Sequence, residues 1–423
     1  MSELNGMSHF ELSFGADGSL DDLAGAADDL RTALAAGPVR DVFVFAHGWN
    51  TSPASARALQ RDLRAILADL LGPRRAASAT VAINWPCLLF PEDDPQTELP
   101  TPSTGAQLAN ALSPAFPRQQ FQLDELGALL DRQPAEFAEL ERFHSLAKTL
   151  VTSPSLALED SGEAATLSAG TASLFGYAAA MARAPVARAP VAWAPDSGPF
   201  PALWSGAREV LRFYSYYEMK NRAGVVGREG LGPLLSTLRG RSGPPRLHLM
   251  GHSFGARLVA YALAGLAAPA AGERSPVKSL YLIQGALSHF AFADQHPAGE
   301  QERAGALTAF ADLVDGPLIA TTSSHDRCLG WWYPCANLLN WSGSGSVAAL
   351  LHRWAAMGQD GYQGLGSHRR TLAAAGVPYE FDRGGQYVLD ASQVIAANQS
   401  AFGGAHSDIR HAAVLWPIVS ASA

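Results

Sequence analysis

Ser253 stands where an apolar stretch of the sequence changes character. Residues 247–250 before it are typical of a buried strand, and the alanine- and leucine-rich run after Gly255 is typical of a helix. Glycines at 251 and 255 let a strand and a helix pass closely while the serine stays exposed on a sharp turn. A serine hydroxyl becomes a nucleophile only with a base, an acid behind that base and donors for an oxyanion. The pattern predicts that Ser253 is a nucleophile, and three kinds of partner are then required.

The oxyanion donors would be backbone N–H groups close to this turn. One is the N–H of Phe254, the residue after the serine. The second would come from the loop after an earlier strand, and the segment 41–50, "DVFVFAHGWN", offers Gly48 and Trp49 there. An ordinary strand-ending turn explains His47-Gly48 equally well in isolation. We expect His47 to lie at the substrate pocket if the loop has this function.

The acid should follow the serine in the chain, at the carboxyl end of a later strand. Asp326 meets this condition because it comes directly after the strand-like segment 316–324. Asp294, which follows the strand-like segment 277–287, is the main competitor. Asp326 could also be the N-cap of a helix that begins at "RCLGWW". We predict that Asp326 is the acid.

The base should come last, in a loop after the final strand. His406 lies in a glycine-rich segment near the end of the chain and is the predicted base. His411 has the spacing of a surface or packing residue on a helix, and His368 lies in an inserted segment. Asp408, two residues from His406, is expected to cap a helix that begins at Ile409.

The elements that must position these residues alternate between short strand patterns and longer helical ones. Such alternation predicts an α/β fold with a mostly parallel central sheet and flanking helices. The predicted strands are 41–50, 79–86, 245–250, 277–287, 316–324 and 385–392, with a possible edge strand at 8–15. Residues 1–86 and 206–423 would form this core.

Two insertions interrupt the core. Residues 87–205 are proline-rich and then helical, which predicts a cap-like insertion, and residues 331–376 are rich in aromatic residues and glycine. Three aromatic side chains just beyond Asp326 could line a substrate pocket or pack the second insertion against the sheet: Trp331, Trp332 and Tyr333.

Composition limits the partners. The 423 residues are 48% hydrophobic and 17% charged, with a formal net charge of -8. Because the net charge is negative and no dense basic segment is present, the sequence argues against nucleic-acid binding.

The apolar stretches at 165–182 and 258–272 are too short, and contain too much alanine and glycine, to predict a membrane span. The N-terminus lacks the pattern of a secretory signal, and three cysteines suit a reducing cytoplasm, although a bridge between Cys328 and Cys335 is possible. No metal or cofactor is expected.

The order oxyanion loop, Ser253, Asp326, His406 is that of α/β hydrolases. The segments "FAHGWNTS", "INWP", "GHSFGARLV", "SSHDRCLG" and "GAHSDI" resemble a bacterial group of α/β-hydrolase-fold serine hydrolases. The substrates of that group are mostly unassigned, and the resemblance implies an α/β-hydrolase fold with a Ser-Asp-His triad. Cleavage of a carboxylic ester through an acyl-enzyme is our leading hypothesis.

The expected substrate is a small-molecule ester or a lipid-like molecule with an apolar acyl or aromatic part. Amidase or peptidase activity, thioester hydrolysis and acyl transfer would use the same triad, and a non-catalytic binding protein with this fold is a further alternative. The sequence leaves the oligomeric state open.

Overall fold

The computed structural model of this chain describes residues 2–4, 6–87, 90–91, 100–152, 154–155, 157–183, 199–241, 243–270, 272–295, 304–336, 352–363, 366–400 and 403–423. In these residues ten strands form one sheet. They are β1 (Ser2–Leu4), β2 (Met7–Phe14), β3 (Leu20–Asp21), β4 (Asp41–Ala46), β5 (Ser78–Asn84), β6 (Arg246–His252), β7 (Val277–Ile283), β8 (Leu318–Thr322), β9 (His368–Thr371) and β10 (Gln386–Asp390).

The strand order across the sheet is β1-β2-β5-β4-β6-β7-β8-β10-β9, and β3 pairs with β2. The β1 and β3 strands run antiparallel to β2, and every other pair is parallel. The expectation of an α/β fold with a mostly parallel sheet is therefore confirmed. The predicted edge strand at 8–15 forms as β2, but it lies inside the sheet because β1 and β5 flank it.

Thirteen α-helices are described in the same residues. They are α1 (Ala26–Ala36), α2 (Pro53–Leu71), α3 (Gly105–Leu112), α4 (Gln120–Arg132), α5 (Phe137–Lys148), α6 (Ser161–Ser168), α7 (Thr171–Arg183), α8 (Pro199–Val225), α9 (Gly232–Thr237), α10 (Phe254–Ala262), α11 (Tyr333–Ala336), α12 (Met357–Asp360) and α13 (Ala412–Ala421). Short 3-10 or π-helical turns occupy Gly72–Ala77, Ser113–Ala115, Leu158–Asp160, Val226–Leu231, Leu263–Gly265, Thr308–Leu313 and Cys328–Trp332.

Apolar side chains cover both faces of the sheet. Along β4, Val42 and Val44 point into one core with α8 and α10, whereas Phe43 and Phe45 point into the other with α2 and α13. All six residues of β4 are buried. A parallel strand whose two faces are both covered has a nearly continuous run of apolar residues in its sequence. For this reason β4 could be predicted from the sequence. Fully burying each large apolar side chain contributes about 1.5–3 kcal/mol to the stability of the folded state.

The first insertion is helical, and α3 to α7 lie within it. The next helix, α8, begins at Pro199, so it crosses the predicted boundary at residue 206. Ser205-Gly206 is a common turn pair, but Gly206 lies inside α8, where a Cβ atom would lie 1.9 Å from the carbonyl oxygen of Phe175. This glycine therefore lets two helices pack closely.

Buried charges join this insertion to the core. The Lys220 ammonium lies 2.9 Å from Asp160 and 2.8 Å from Glu163, and the guanidinium of Arg257 in α10 lies 2.9 Å from Asp160. Burial alone would raise the pKa of Asp160, but Arg257 and Lys220 hold it well below its usual range. Removing one partner from a buried ion pair costs about 3–5 kcal/mol. This cluster therefore fastens residues 160–163 of the insertion to the helix that follows Ser253.

None of the helices in the described ranges combines the length and the apolar character that a membrane span requires.

Candidate active site

Ser253 lies in a strained turn between β6 and α10. Its backbone has φ 57° and ψ -123°, a conformation that residues other than glycine rarely adopt. Such a conformation costs on the order of 1–3 kcal/mol and persists only where the surrounding structure holds it. Here the Ser253 carbonyl accepts hydrogen bonds from the N–H groups of Ala256 and Ala286, and the Ser253 N–H donates to the carbonyl of Ile283.

The two flanking glycines are needed because backbone passes against backbone. A Cβ atom on Gly251 would lie 2.2 Å from the carbonyl oxygen of Gly255, and one on Gly255 would lie 2.0 Å from that of Ala46. Both distances are far below van der Waals contact. The motif G-x-S-x-G therefore has the strand-turn-helix setting that gives it chemical meaning.

The loop after β4 lies directly against Ser253. A Cβ atom on Gly48 would lie 2.8 Å from the Cβ atom of Ser253, so the loop backbone touches the serine. The Trp49 ring packs at 5.9 Å, between centroids, from that of Phe254. As the first residue of α10, Phe254 has an N–H group without a partner inside its own helix. The structure thus brings Gly48, Trp49 and Phe254 together around the serine.

The loop after β4 has an anchor that the sequence analysis missed. Asn50 has a left-handed backbone with φ 58°. Its side-chain amide donates to the carbonyl of Phe90 at 3.1 Å and its side-chain oxygen accepts the N–H of the same residue. These two hydrogen bonds tie the loop to the start of the first insertion. The preference of asparagine for left-handed turns was the available signal.

Asp326 and His406 form a buried pair. Nδ1 of His406 lies 2.6 Å from Oδ2 of Asp326. A carboxylate only accepts hydrogen bonds, so Nδ1 carries a proton, and in the neutral tautomer the lone pair is on Nε2. Nε2 of His406 is buried and has no hydrogen-bond partner in the described residues. This is the arrangement that a general base requires.

Asp326 also makes the contact of a helix cap. Its Oδ1 atom accepts the N–H of Leu329 at 2.9 Å, while Oδ2 faces His406. The two interpretations of Asp326 are therefore compatible, because each uses a different carboxylate oxygen. The competitor Asp294 is exposed, and no hydrogen bond in the described residues joins it to His406.

His252, the residue before Ser253, contacts His406. Nε2 of His252 lies 2.9 Å from the carbonyl oxygen of His406, and the two imidazole rings lie 4.8 Å apart between centroids. Burial lowers the pKa of His252 well below its usual value, so the ring is neutral and Nε2 acts as the donor. His406 is thus held next to the residue that precedes Ser253. A hydrogen bond from the Ser253 hydroxyl to Nε2 of His406 is not formed in this structure.

Gln284 is a further residue that the sequence analysis missed. It follows β7, has φ 44°, and donates from its side-chain amide to Oδ2 of Asp326 at 2.8 Å. Its own N–H donates to the Thr321 hydroxyl at 3.0 Å. The only signal in the sequence was a polar residue at the end of the apolar strand 277–283. The contact with Asp326 joins positions 42 residues apart, which no local pattern predicts.

The loop that carries His406 is fixed by backbone pairing rather than by a helix. Gly404 forms a bridge with Asp326, and with φ 60° it adopts a conformation that favours glycine. The prediction that Asp408 caps a helix beginning at Ile409 is wrong. The helix begins at Ala412, and the Asp408 carboxylate instead accepts the N–H groups of residues 396 and 397 at 3.0 and 2.8 Å.

A cavity of about 820 Å³ adjoins the loop that follows β4. His47 lines it, and burial lowers the pKa of His47 to about 4. Its lining is mostly apolar, and Ser253 is not part of it. Other lining residues come from the loop after β4, from the residue after β5 and from the first insertion: Thr51, Trp85, Cys87, Gln107 and Ala115.

Tyr333 does not line that cavity. It is buried and packs edge-on against Tyr216, with ring centroids 5.9 Å apart. The side chains of Trp331 and Trp332 lie outside the described residues, so their predicted place in a pocket stays a prediction. Cys328 carries a thiol, and the side chain of Cys335 is likewise outside the description.

One group of described residues away from Ser253 has donor atoms close enough to share a metal ion: His289, His352 and Asp360. Their sequence separations do not correspond to a known zinc spacing, which is why the sequence analysis expected no metal site.

Comparison of the chain with protein-family models, with curated proteins and with solved structures gave no match.

Proposed function

We propose that this chain is a serine hydrolase of the α/β-hydrolase fold that cleaves carboxylic esters through an acyl-enzyme. One observation carries the proposal: Nε2 of His406 is buried and unpaired while Asp326 holds the opposite ring nitrogen at 2.6 Å. In the tautomer that this contact favours, the lone pair of Nε2 is unpaired and can accept a proton. The strained turn at Ser253 lies one residue from His252, which contacts that imidazole.

The fold assignment has support from the order of the elements. The serine follows β6 and opens α10, the acid follows β8, and the histidine follows β10. These strands are parallel, so their carboxyl ends meet at one edge of the sheet. Nucleophile, acid and base therefore come from three strand ends in the chain order of α/β hydrolases.

The reaction would proceed in two halves. His406 takes the hydroxyl proton of Ser253 as Oγ bonds to the ester carbonyl carbon, and the backbone N–H groups of Phe254 and Trp49 stabilise the oxyanion. The C–O bond to the alcohol then breaks, and His406 gives the proton to the departing alcohol. Water attacks the acyl-serine in the same way and releases the acid. Asp326 stabilises the imidazolium that forms in each half.

The cavity beside His47 supports a substrate with an apolar part. Its volume of about 820 Å³ lies within the range of small-molecule sites. His47 precedes Gly48, which touches Ser253, so an apolar acyl or aromatic group in the cavity would lie beside the oxyanion loop.

A panel of p-nitrophenyl esters of increasing chain length, with the matching thioesters and anilides, tests the proposal. We expect ester turnover, and a fall in kcat/KM of at least about 1,000-fold in Ser253→Ala and in His406→Ala. Faster cleavage of the thioesters or anilides would place the activity in one of those classes, and product transfer to an added alcohol would indicate an acyltransferase. A folded protein that turns over none of these compounds would contradict the proposal and favour a non-catalytic binding protein.

A further inference from the structure

His289, His352 and Asp360 form a cluster at the ends of two loops. His289 lies in the loop after β7, Asp360 ends α12, and His352 lies just before that helix. Nδ1 of His289 lies 3.2 Å from Oδ2 of Asp360, and Nδ1 of His352 lies 3.1 Å from the same oxygen. The three donor atoms all lie within 4.8 Å of one another.

Backbone hydrogen bonds hold the two loops together independently of these side chains. The N–H of Met357 donates to the carbonyl of Leu287 at 2.8 Å, and the N–H of His289 donates to that of Ala355 at 3.2 Å. The carbonyl of His289 accepts the N–H of Gln363 at 3.2 Å. The donor atoms of the cluster are thus placed by the fold, as a preorganised metal site requires.

We propose that these three side chains bind one divalent transition-metal ion, Zn²⁺ in the first instance, through two imidazole nitrogens and one carboxylate oxygen. Zinc binds histidine and carboxylate ligands at about 2.0–2.2 Å, so two such ligands in a tetrahedral site lie roughly 3.4 Å apart. The two distances to Oδ2 of Asp360 are close to this spacing. Three protein ligands leave a fourth position for water.

The charges around the cluster are compatible with a cation. Nδ1 of His289 has a lone pair for a metal ion in the neutral tautomer whose proton is on Nε2. The Asp360 carboxylate supplies the negative charge that a divalent cation needs. The Arg369 guanidinium lies 3.6 Å from Oδ1 of Asp360, so it faces the oxygen that the metal would not use.

The proposed ion would stabilise a loop that lies behind the candidate acid. A Cβ atom on Gly358 in α12 would lie 2.5 Å from the carbonyl carbon of Gln284, the residue that donates to Asp326. We therefore assign the site a structural role. It does not depend on the proposed hydrolase activity, because its ligands are separate from the triad.

Titration of the full-length, chelator-treated protein with Zn²⁺ alone, followed by calorimetry and by the thermal midpoint, tests this inference. We expect one equivalent of Zn²⁺ and a rise in the midpoint. Binding should weaken at least about tenfold in His352→Ala and in Asp360→Asn. The imidazole of His352 is half exposed, so its removal should leave the fold intact.

His368→Ala is the matched control, because His368 is an exposed histidine outside the cluster, and it should bind Zn²⁺ as the wild type does. Wild-type protein that takes up no Zn²⁺ would overturn the proposal. Equal binding by the wild type, His352→Ala and Asp360→Asn would overturn it as well, since the ion would then lie elsewhere.

Discussion

Oδ2 of Asp326 accepts two hydrogen bonds, one from Nδ1 of His406 at 2.6 Å and one from the side-chain amide of Gln284 at 2.8 Å. The carboxylate is buried, so both donors face it without competition from water. Gln284 orients the carboxylate of Asp326, and that carboxylate orients the imidazole of His406. The orientation of His406 therefore depends on the end of β7 as well as on the loop that carries His406.

Asp326→Asn should lower kcat for ester hydrolysis by about 1,000- to 10,000-fold. The asparagine oxygen can still cap Leu329, but its amide would meet Nδ1 of His406, so the imidazole would be held in the wrong tautomer. Steady-state kinetics on a p-nitrophenyl ester would measure the loss. Asp294→Asn is the control and should retain wild-type turnover, because Asp294 is exposed and does not contact His406. Equal losses in the two variants would mean that the acid has been misassigned.

His252→Phe should lower kcat by about 10- to 100-fold with little change in KM. Phenylalanine keeps a ring against His406 but removes the donor to its carbonyl, and an unpaired buried carbonyl costs about 1–3 kcal/mol. His252 is a positioning residue in this account, so the pH profile of kcat should shift together with its magnitude.

His325→Phe is the comparison for His252→Phe, since His325 is an exposed histidine next to Asp326. It should behave as the wild type. An unchanged kcat and pH profile in His252→Phe would show that the contact with His406 has no influence on the base.

The stability of the protein should fall as the pH falls from about 6.5 towards 4. Burial lowers the pKa of His47 to about 4, whereas a histidine in the unfolded chain titrates near 6.5. Between these values the unfolded state binds a proton that the folded state does not, so the free energy of unfolding decreases as the pH falls and is level above 6.5. A shift of this size corresponds to on the order of 3 kcal/mol.

Urea unfolding between pH 4.5 and 7.5 measures this dependence. His47→Gln should reduce the slope without abolishing it, because burial also lowers the pKa values of His9 and His144 to about 4. His368→Gln, at an exposed position, should leave the slope unchanged. A slope in His47→Gln equal to that of the wild type would contradict the assignment of a buried neutral imidazole at this position.

The sequence predicted what local patterns encode. The buried strand β4, the turn at Ser253 and the placement of Asp326 after β8 each follow from periodicity and spacing within about ten residues. Parallel pairing then gathers strand ends at one edge, so the candidate acid and base could be predicted in outline.

Contacts between distant segments were not predictable in this way. The hydrogen bonds of Gln284 and His252, and the cluster around Asp360, join loops that are far apart in the chain. The error at Asp408 has the same cause. The Asp408 carboxylate accepts hydrogen bonds from N–H groups twelve and eleven residues earlier in the chain. It therefore does not cap the helix start that the local pattern suggested.

The most direct test of the central claim is labelling of Ser253 by a fluorophosphonate. A hydroxyl activated by His406 attacks phosphorus and displaces fluoride, which leaves a stable phosphonyl-serine that mass spectrometry locates in a peptide digest. We predict one label per folded chain, on Ser253, and none on Ser253→Ala or on heat-unfolded protein. Folded wild-type protein that stays unlabelled, or a label that persists in Ser253→Ala, would contradict the account.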